Sequence, residues 1–107
     1  MPDYKEIYEI KREIYKHNEQ YGRTYIIGLL IEEMMECGAE LMRVLNHKDV
    51  RSERILEEIA DVEIMLEQVK EILDLYGEFN EVKAIKIKKT AVRLGIDTRK
   101  EVVQDEL

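Results

Sequence analysis

Apolar residues recur at three- and four-residue spacing along nearly the whole chain, and little interrupts them. The sequence holds one Pro and no Ser/Gly-rich linker, and Gly22, Gly77 and Gly95 fall between or after the periodic stretches. A period near 3.6 residues gathers such side chains on one side of an α-helix, whereas a strand needs strict alternation. The expected fold class is therefore all-α, a four- to five-helix bundle in one domain of 107 residues. A chain this short buries only part of its surface alone, so self-association is expected.

The spacing predicts four helices. Asp3 is placed to cap the first, with Glu6 three residues on as in a capping box. Tyr4, Ile7, Ile10/Lys11 and Ile14 then share a face up to about residue 20. Thr24 is the expected N-cap of the second, whose stripe is Ile27, Leu30, Ile31, Met34, Leu41 and Leu45, until Asn46-His47-Lys48-Asp49 breaks it. Ser52 is the expected cap of the third. Ile55, Ile59, Val62, Leu66, Val69, Ile72, Leu73 and Tyr76 carry it to Gly77, read as its C-terminal stop. Residues 79–94 fit a helix less well, since Ile85-Lys86-Ile87-Lys88 also alternates like a strand; helix is preferred, ended by Gly95. Residues 96–107 read as a polar tail.

Composition narrows the function classes. The strongest apolar stretch, Tyr25–Ile31, is far shorter than the ~20 residues that cross a bilayer, and no charged-then-apolar leader precedes it, so neither membrane insertion nor secretion is expected. The single Cys37 has no internal disulfide partner, reads as a small apolar filler and suits a cytoplasmic protein. A net charge of −7 argues against stable nucleic-acid binding. His17 and His47 are isolated and read as surface residues.

Most acids here, among them Glu9, Glu13, Glu67, Glu71 and Glu81, belong on solvated helix faces. Glu58 does not. If Ile55, Val62, Val69 and Tyr76 hold one core position of the heptad, Met65 and Ile72 hold the other, and one heptad earlier that slot is Glu58. Burying an unpaired carboxylate costs several kcal/mol, so this residue needs a cation, a retained proton or an opening to water. Asp61 follows at i+3 on the same side. Glu33 and Glu36 form a matching i, i+3 pair beside the stripe of Leu30, Met34, Cys37 and Leu41. Were the two helices to pack antiparallel, four carboxylates would converge, which requires a divalent cation. An all-oxygen donor set favours Mg²⁺ or Mn²⁺; zinc would want His or Cys, and a di-iron bundle Glu-x-x-His.

Glu32-Glu33-Met34-Met35-Glu36, followed after a loop by Glu58-Ile59-Ala60-Asp61, resembles the E-E-x-x-E … E-x-x-D signature of the MazG-like all-α nucleoside triphosphate pyrophosphohydrolases, small single-domain members in particular, over roughly residues 21–95. The resemblance implies Mg²⁺-dependent hydrolysis of a nucleoside triphosphate to monophosphate and pyrophosphate in a homodimer or homotetramer, with Mn²⁺ able to substitute and housecleaning of non-canonical nucleotides as one role. It implies Glu33, Glu36, Glu58 and Asp61 as metal ligands, with Glu32 either supporting those ligands from behind or orienting the attacking water. One domain would then comprise an N-terminal helix (1–20), a metal-binding helix pair (24–76), a basic helix (78–95) and a tail (96–107).

Lys86, Lys89 and Arg93 stand at i, i+3 and i+7, one face if the last segment is helical, and the resemblance implies phosphate contacts there; a solvated basic face is the alternative. Ile26 stands where relatives carry a Gln, so no base-reading polar residue is evident. Tyr21 and Tyr25 are candidates to stack on a base or to edge the core, and Met34, Met35, Met42 and Met65 to fill a core or a dimer seam. Two other functions fit the same residues: a non-catalytic nucleotide-binding or regulatory module, and phosphoribosyl-ATP pyrophosphohydrolase-type chemistry.

Overall fold

The computed structural model describes residues 1–47, 53–74 and 77–96. It contains α1 (Tyr4–Glu19), α2 (Arg23–His47), α3 (Glu53–Leu73) and α4 (Phe79–Arg93), with no strand among the described residues. The chain divides into two compact units, Met1–Leu73 and Asp74–Leu107, each described by itself.

In the first unit α2 and α3 pack antiparallel. Ile26 and Leu30 from the start of α2 form a buried cluster with Met65 and Val69 from the end of α3, flanked by half-buried Ile27, Leu29, Val62 and Ile72. The packed seam of α2 is Ile26, Leu30, Glu33, Cys37, Glu40 and Val44, and that of α3 is Ile55, Glu58, Val62, Met65, Val69 and Ile72. Both step by alternating threes and fours, the spacing that keeps two helices in contact along their length. Burying a side chain such as Ile26 stabilises the pair by about 1.5–3 kcal/mol. The expected α2 stripe is thus only partly right. Leu30 is buried and Ile27 half-buried, but Ile31, Met34, Leu41 and Leu45 are exposed. The packed seam lies on the adjoining side of the helix. Met65 is a core residue, while Met34, Met35 and Met42 lie outside the core. On α3, Ile59, Leu66 and Leu73 of the expected stripe are exposed as well.

The Asp3 carboxylate accepts from the amides of Lys5 and Glu6 at 3.1 and 3.2 Å, so α1 starts where expected. Its inner face differs from expectation. Tyr4, Ile7, Ile10 and Ile14 are exposed, and Tyr15 and Asn18 are buried instead. Polar bonds choose that face: Tyr15 donates its hydroxyl to the Ile64 carbonyl at 2.6 Å, and Asn18 donates to Gln68 Oε1 at 2.9 Å. Gln68, 1% exposed, donates in turn to the Tyr15 carbonyl at 2.8 Å. Ion pairs Lys11–Glu67 and Arg12–Glu71, both 2.7 Å, flank this contact. Burial and the nearby Glu67 and Glu71 carboxylates push the Tyr15 hydroxyl up to about 12.

Gly22, at φ +87°, turns the chain into α2, which begins at Arg23; Thr24 sits inside the helix rather than capping it. Helix α3 ends at Leu73, four residues ahead of Gly77, which is therefore not its C-terminal glycine. Ser52, Lys48, Asp49 and Tyr76 lie outside the described residues.

In the second unit, Phe79–Arg93 is helical, which settles the ambiguity at Ile85-Lys86-Ile87-Lys88. Gly95 ends it as expected. With Gly95 at φ +74°, the Ile96 amide reaches back to the Ala91 carbonyl at 2.9 Å, a left-handed C-terminal cap. No residue of α4 is buried.

Candidate metal centre

The antiparallel register brings α2 and α3 level at Glu33, Glu36 and Glu58, from each of which one carboxylate oxygen lies within 4.8 Å of the others. Glu33 occupies the α2 seam between Leu30 and Cys37, and Glu58 the α3 seam between Ile55 and Val62, so both are half-buried by the same packing that forms the core; Glu36 is exposed. Each half-buried acid has one oxygen shut away from solvent with no hydrogen-bond donor, Oε2 of Glu33 and Oε2 of Glu58. Such an atom forfeits its hydration without recompense.

Burial, then the charges of Asp61, Glu36, Glu58 and Glu32, hold the Glu33 carboxyl above the ordinary carboxylate range. Asp61 is the strongest of these neighbours, yet it is exposed and stands outside the trio. Glu32 is also exposed and is the weakest of them. Of the expected acids, the fold gathers three and places two at the margin.

The donor set fits a hard divalent cation on two counts. All three groups offer oxygen, and Glu33 and Glu58 each hold one desolvated oxygen without the donor that a purely structural carboxylate would have. Among the described residues, no His or Cys shares the cluster; His17 and His47 are exposed, and Cys37 is buried with a free thiol.

Two residues that sequence reasoning passed over adjoin the trio. Glu40, one heptad beyond Glu33, is buried at 6% exposure, with Oε1 accepting from Arg43 Nε at 2.8 Å and Oε2 lying 3.3 Å from Arg54 Nε. The hydrogen bond from Arg43, and the charges of Arg43 and Arg54, hold its carboxyl below the ordinary range. Arg54 lines an open hollow with Glu53, Glu57 and Glu58. The seven-residue step from Glu33 was a usable signal for Glu40; Arg54 carries none without knowledge of its partner.

Lys86, Lys89 and Arg93 share one exposed face of α4 at i, i+3 and i+7. Beside them Lys86, Ile87, Thr90, Ala91, Leu94 and Ile96 line a shallow, mostly apolar hollow. Tyr21 and Tyr25 are exposed, with ring centroids 4.9 Å apart, and His17 lies 5.6 Å from the Tyr21 ring.

No family model, curated protein or solved structure matches the chain.

Proposed function

We propose that the chain is a Mg²⁺-dependent nucleoside triphosphate pyrophosphohydrolase of the MazG-like kind, cleaving the triphosphate to a nucleoside monophosphate and pyrophosphate. The observation that carries this reading is the carboxylate trio Glu33, Glu36 and Glu58, with one donorless buried oxygen on each of Glu33 and Glu58. These three would hold the cation, with Asp61 able to complete the set from the margin. A divalent ion held there would neutralise phosphate oxygens and make water a better nucleophile.

The chain's own groups supply the rest. Glu32, exposed beside Glu33 and outside the trio, is a carboxylate not committed to the cation and is suited to orient the attacking water and accept its proton. Lys86, Lys89 and Arg93, on their shared helical face of the second unit, are proposed by themselves as a phosphate-binding surface.

The reading includes a homodimer or homotetramer. Ile31, Met34, Leu41 and Leu45 on α2, with Ile59 and Leu66 on α3, leave apolar stripes in water that a second copy would cover. No helix among the described residues is long and apolar enough to cross a membrane.

The test is pyrophosphate release from a panel of common and modified nucleoside triphosphates in Mg²⁺, with Glu58→Gln in parallel. Release by the wild type and at least a hundredfold loss in the variant is the expected outcome, from an effect of ~2.7 kcal/mol or more on the barrier. Release of orthophosphate, or equal rates in both proteins, would contradict it.

A further inference from the structure

An acidic trio attracts a cation but repels a triphosphate, so the site needs a fixed positive group on the same helix pair. Arg54 answers that need. It lies one helical turn before Glu58 on the same face of α3, shares the open hollow with it, and is 73% exposed at its side chain. Exposed arginines usually wander, whereas this one is tied by its Nε edge to Glu40 Oε2 at 3.3 Å.

Glu40 is the unusual half of the pair. A carboxylate left almost without solvent is costly unless both oxygens are matched. Here Oε1 is taken by Arg43 from the next turn of α2 and Oε2 by Arg54 from the facing helix. Arg43 alone would have given Glu40 a local partner. The cross-helix bond adds the fixing of one guanidinium beside the trio, with its ordering entropy spent before any ligand arrives.

Resting on the pyrophosphohydrolase reading, we propose that Arg54 binds the anionic oxygens of the substrate's polyphosphate chain on the N-terminal side of Glu58 along α3, and that Glu40 is the positioning residue that aims it. A guanidinium suits the task because it is permanently charged and its planar set of donors matches phosphate oxygens.

Calorimetric titration of inorganic pyrophosphate in saturating Mg²⁺ tests this, on the wild type, Arg54→Ala, Arg54→Lys and Glu40→Gln. Arg54→Ala is expected to weaken pyrophosphate binding about tenfold or more and to raise KM for the triphosphate, while thermal stabilisation by Mg²⁺ alone is unchanged. Arg54→Lys should recover only part of the affinity. Glu40→Gln, if it folds, should fall between wild type and Arg54→Ala. Pyrophosphate affinity in Arg54→Ala within about twofold of wild type would overturn the proposal even if the melting temperature drops, since that is how a mere helix clasp behaves. A wild-type protein that neither binds pyrophosphate nor releases it from any triphosphate would overturn the enzymatic reading, and the role of Arg54 with it.

Discussion

At the residue scale, two kinds of buried polar group stand side by side in the first unit. Gln68 has both ends of its amide occupied, by Asn18 and by the Tyr15 carbonyl, and it fixes how α1 meets α3. Gln68→Leu strands both partners, and denaturant unfolding should show a loss of about 1–3 kcal/mol. Glu33 and Glu58 each keep a buried oxygen with no donor. Because the folded-state pKa of Glu33 is raised, the native protein holds a proton that the unfolded chain has released over the window from about 4.5 upward. The native state then binds more protons, and its metal-free stability falls as pH rises through that window. Glu40, lowered by Arg43, acts in the opposite sense, its contribution present above the ordinary carboxylate value and lost as pH falls through the depressed one. The difference in unfolding midpoint between wild type and Glu33→Gln therefore isolates the first effect: the variant should gain stability relative to wild type as pH increases. A gap that stays flat with pH would contradict this.

At the scale of the helices, α2 and α3 each carry two apolar stripes a short rotation apart, and only one of each pair enters the core. Ile26, Leu30, Cys37 and Val44 are buried, while Ile31, Met34, Leu41 and Leu45 are exposed. This is why the helices were legible in the sequence and their inner faces less so. Periodicity reports a helix whichever stripe it uses, and residues of similar size and polarity on both sides leave the choice to tertiary contacts. In α1 the choice went to Tyr15 and Asn18, whose polar partners on α3 are invisible to a hydrophobic count. Glu58 was legible for the opposite reason, as an acid interrupting an otherwise apolar heptad slot. Glu40 was passed over although its seven-residue step from Glu33 marks the same seam, and Arg54 was not legible at all, because a charge satisfied across two helices is spelled in the sequence like a charge in water. The exposed stripes also make a prediction of their own. Leu41→Glu should shift the protein to a smaller species in light scattering while its helical circular dichroism persists; an unchanged mass would remove α2's outer stripe from any interface. On α4, Gly95→Ala places a Cβ at φ +74° and should cost the C-terminal cap about 1 kcal/mol, read as faster amide exchange at Ile96.

At the scale of the whole molecule, the helix pair that builds the core also builds the acidic trio, so the proposed metal binding would be linked to folding. Packing α2 on α3 drives Glu33 and Glu58 together at a cost that a bound cation would offset. Mg²⁺ at about a hundred times its dissociation constant should stabilise the fold by roughly 2.7 kcal/mol. Removing a carboxylate should act in opposite directions with and without the ion: Glu58→Gln is expected to melt higher than wild type in chelator and lower than wild type in saturating Mg²⁺. The most direct measurement is a Mn²⁺ titration at neutral pH followed by electron paramagnetic resonance, on wild type and Glu58→Gln. Saturable binding in the wild type, lost in a variant whose helical content is intact, is the predicted result. Equal binding in both proteins, or none in a folded wild type, would contradict the metal centre and the hydrolase built on it.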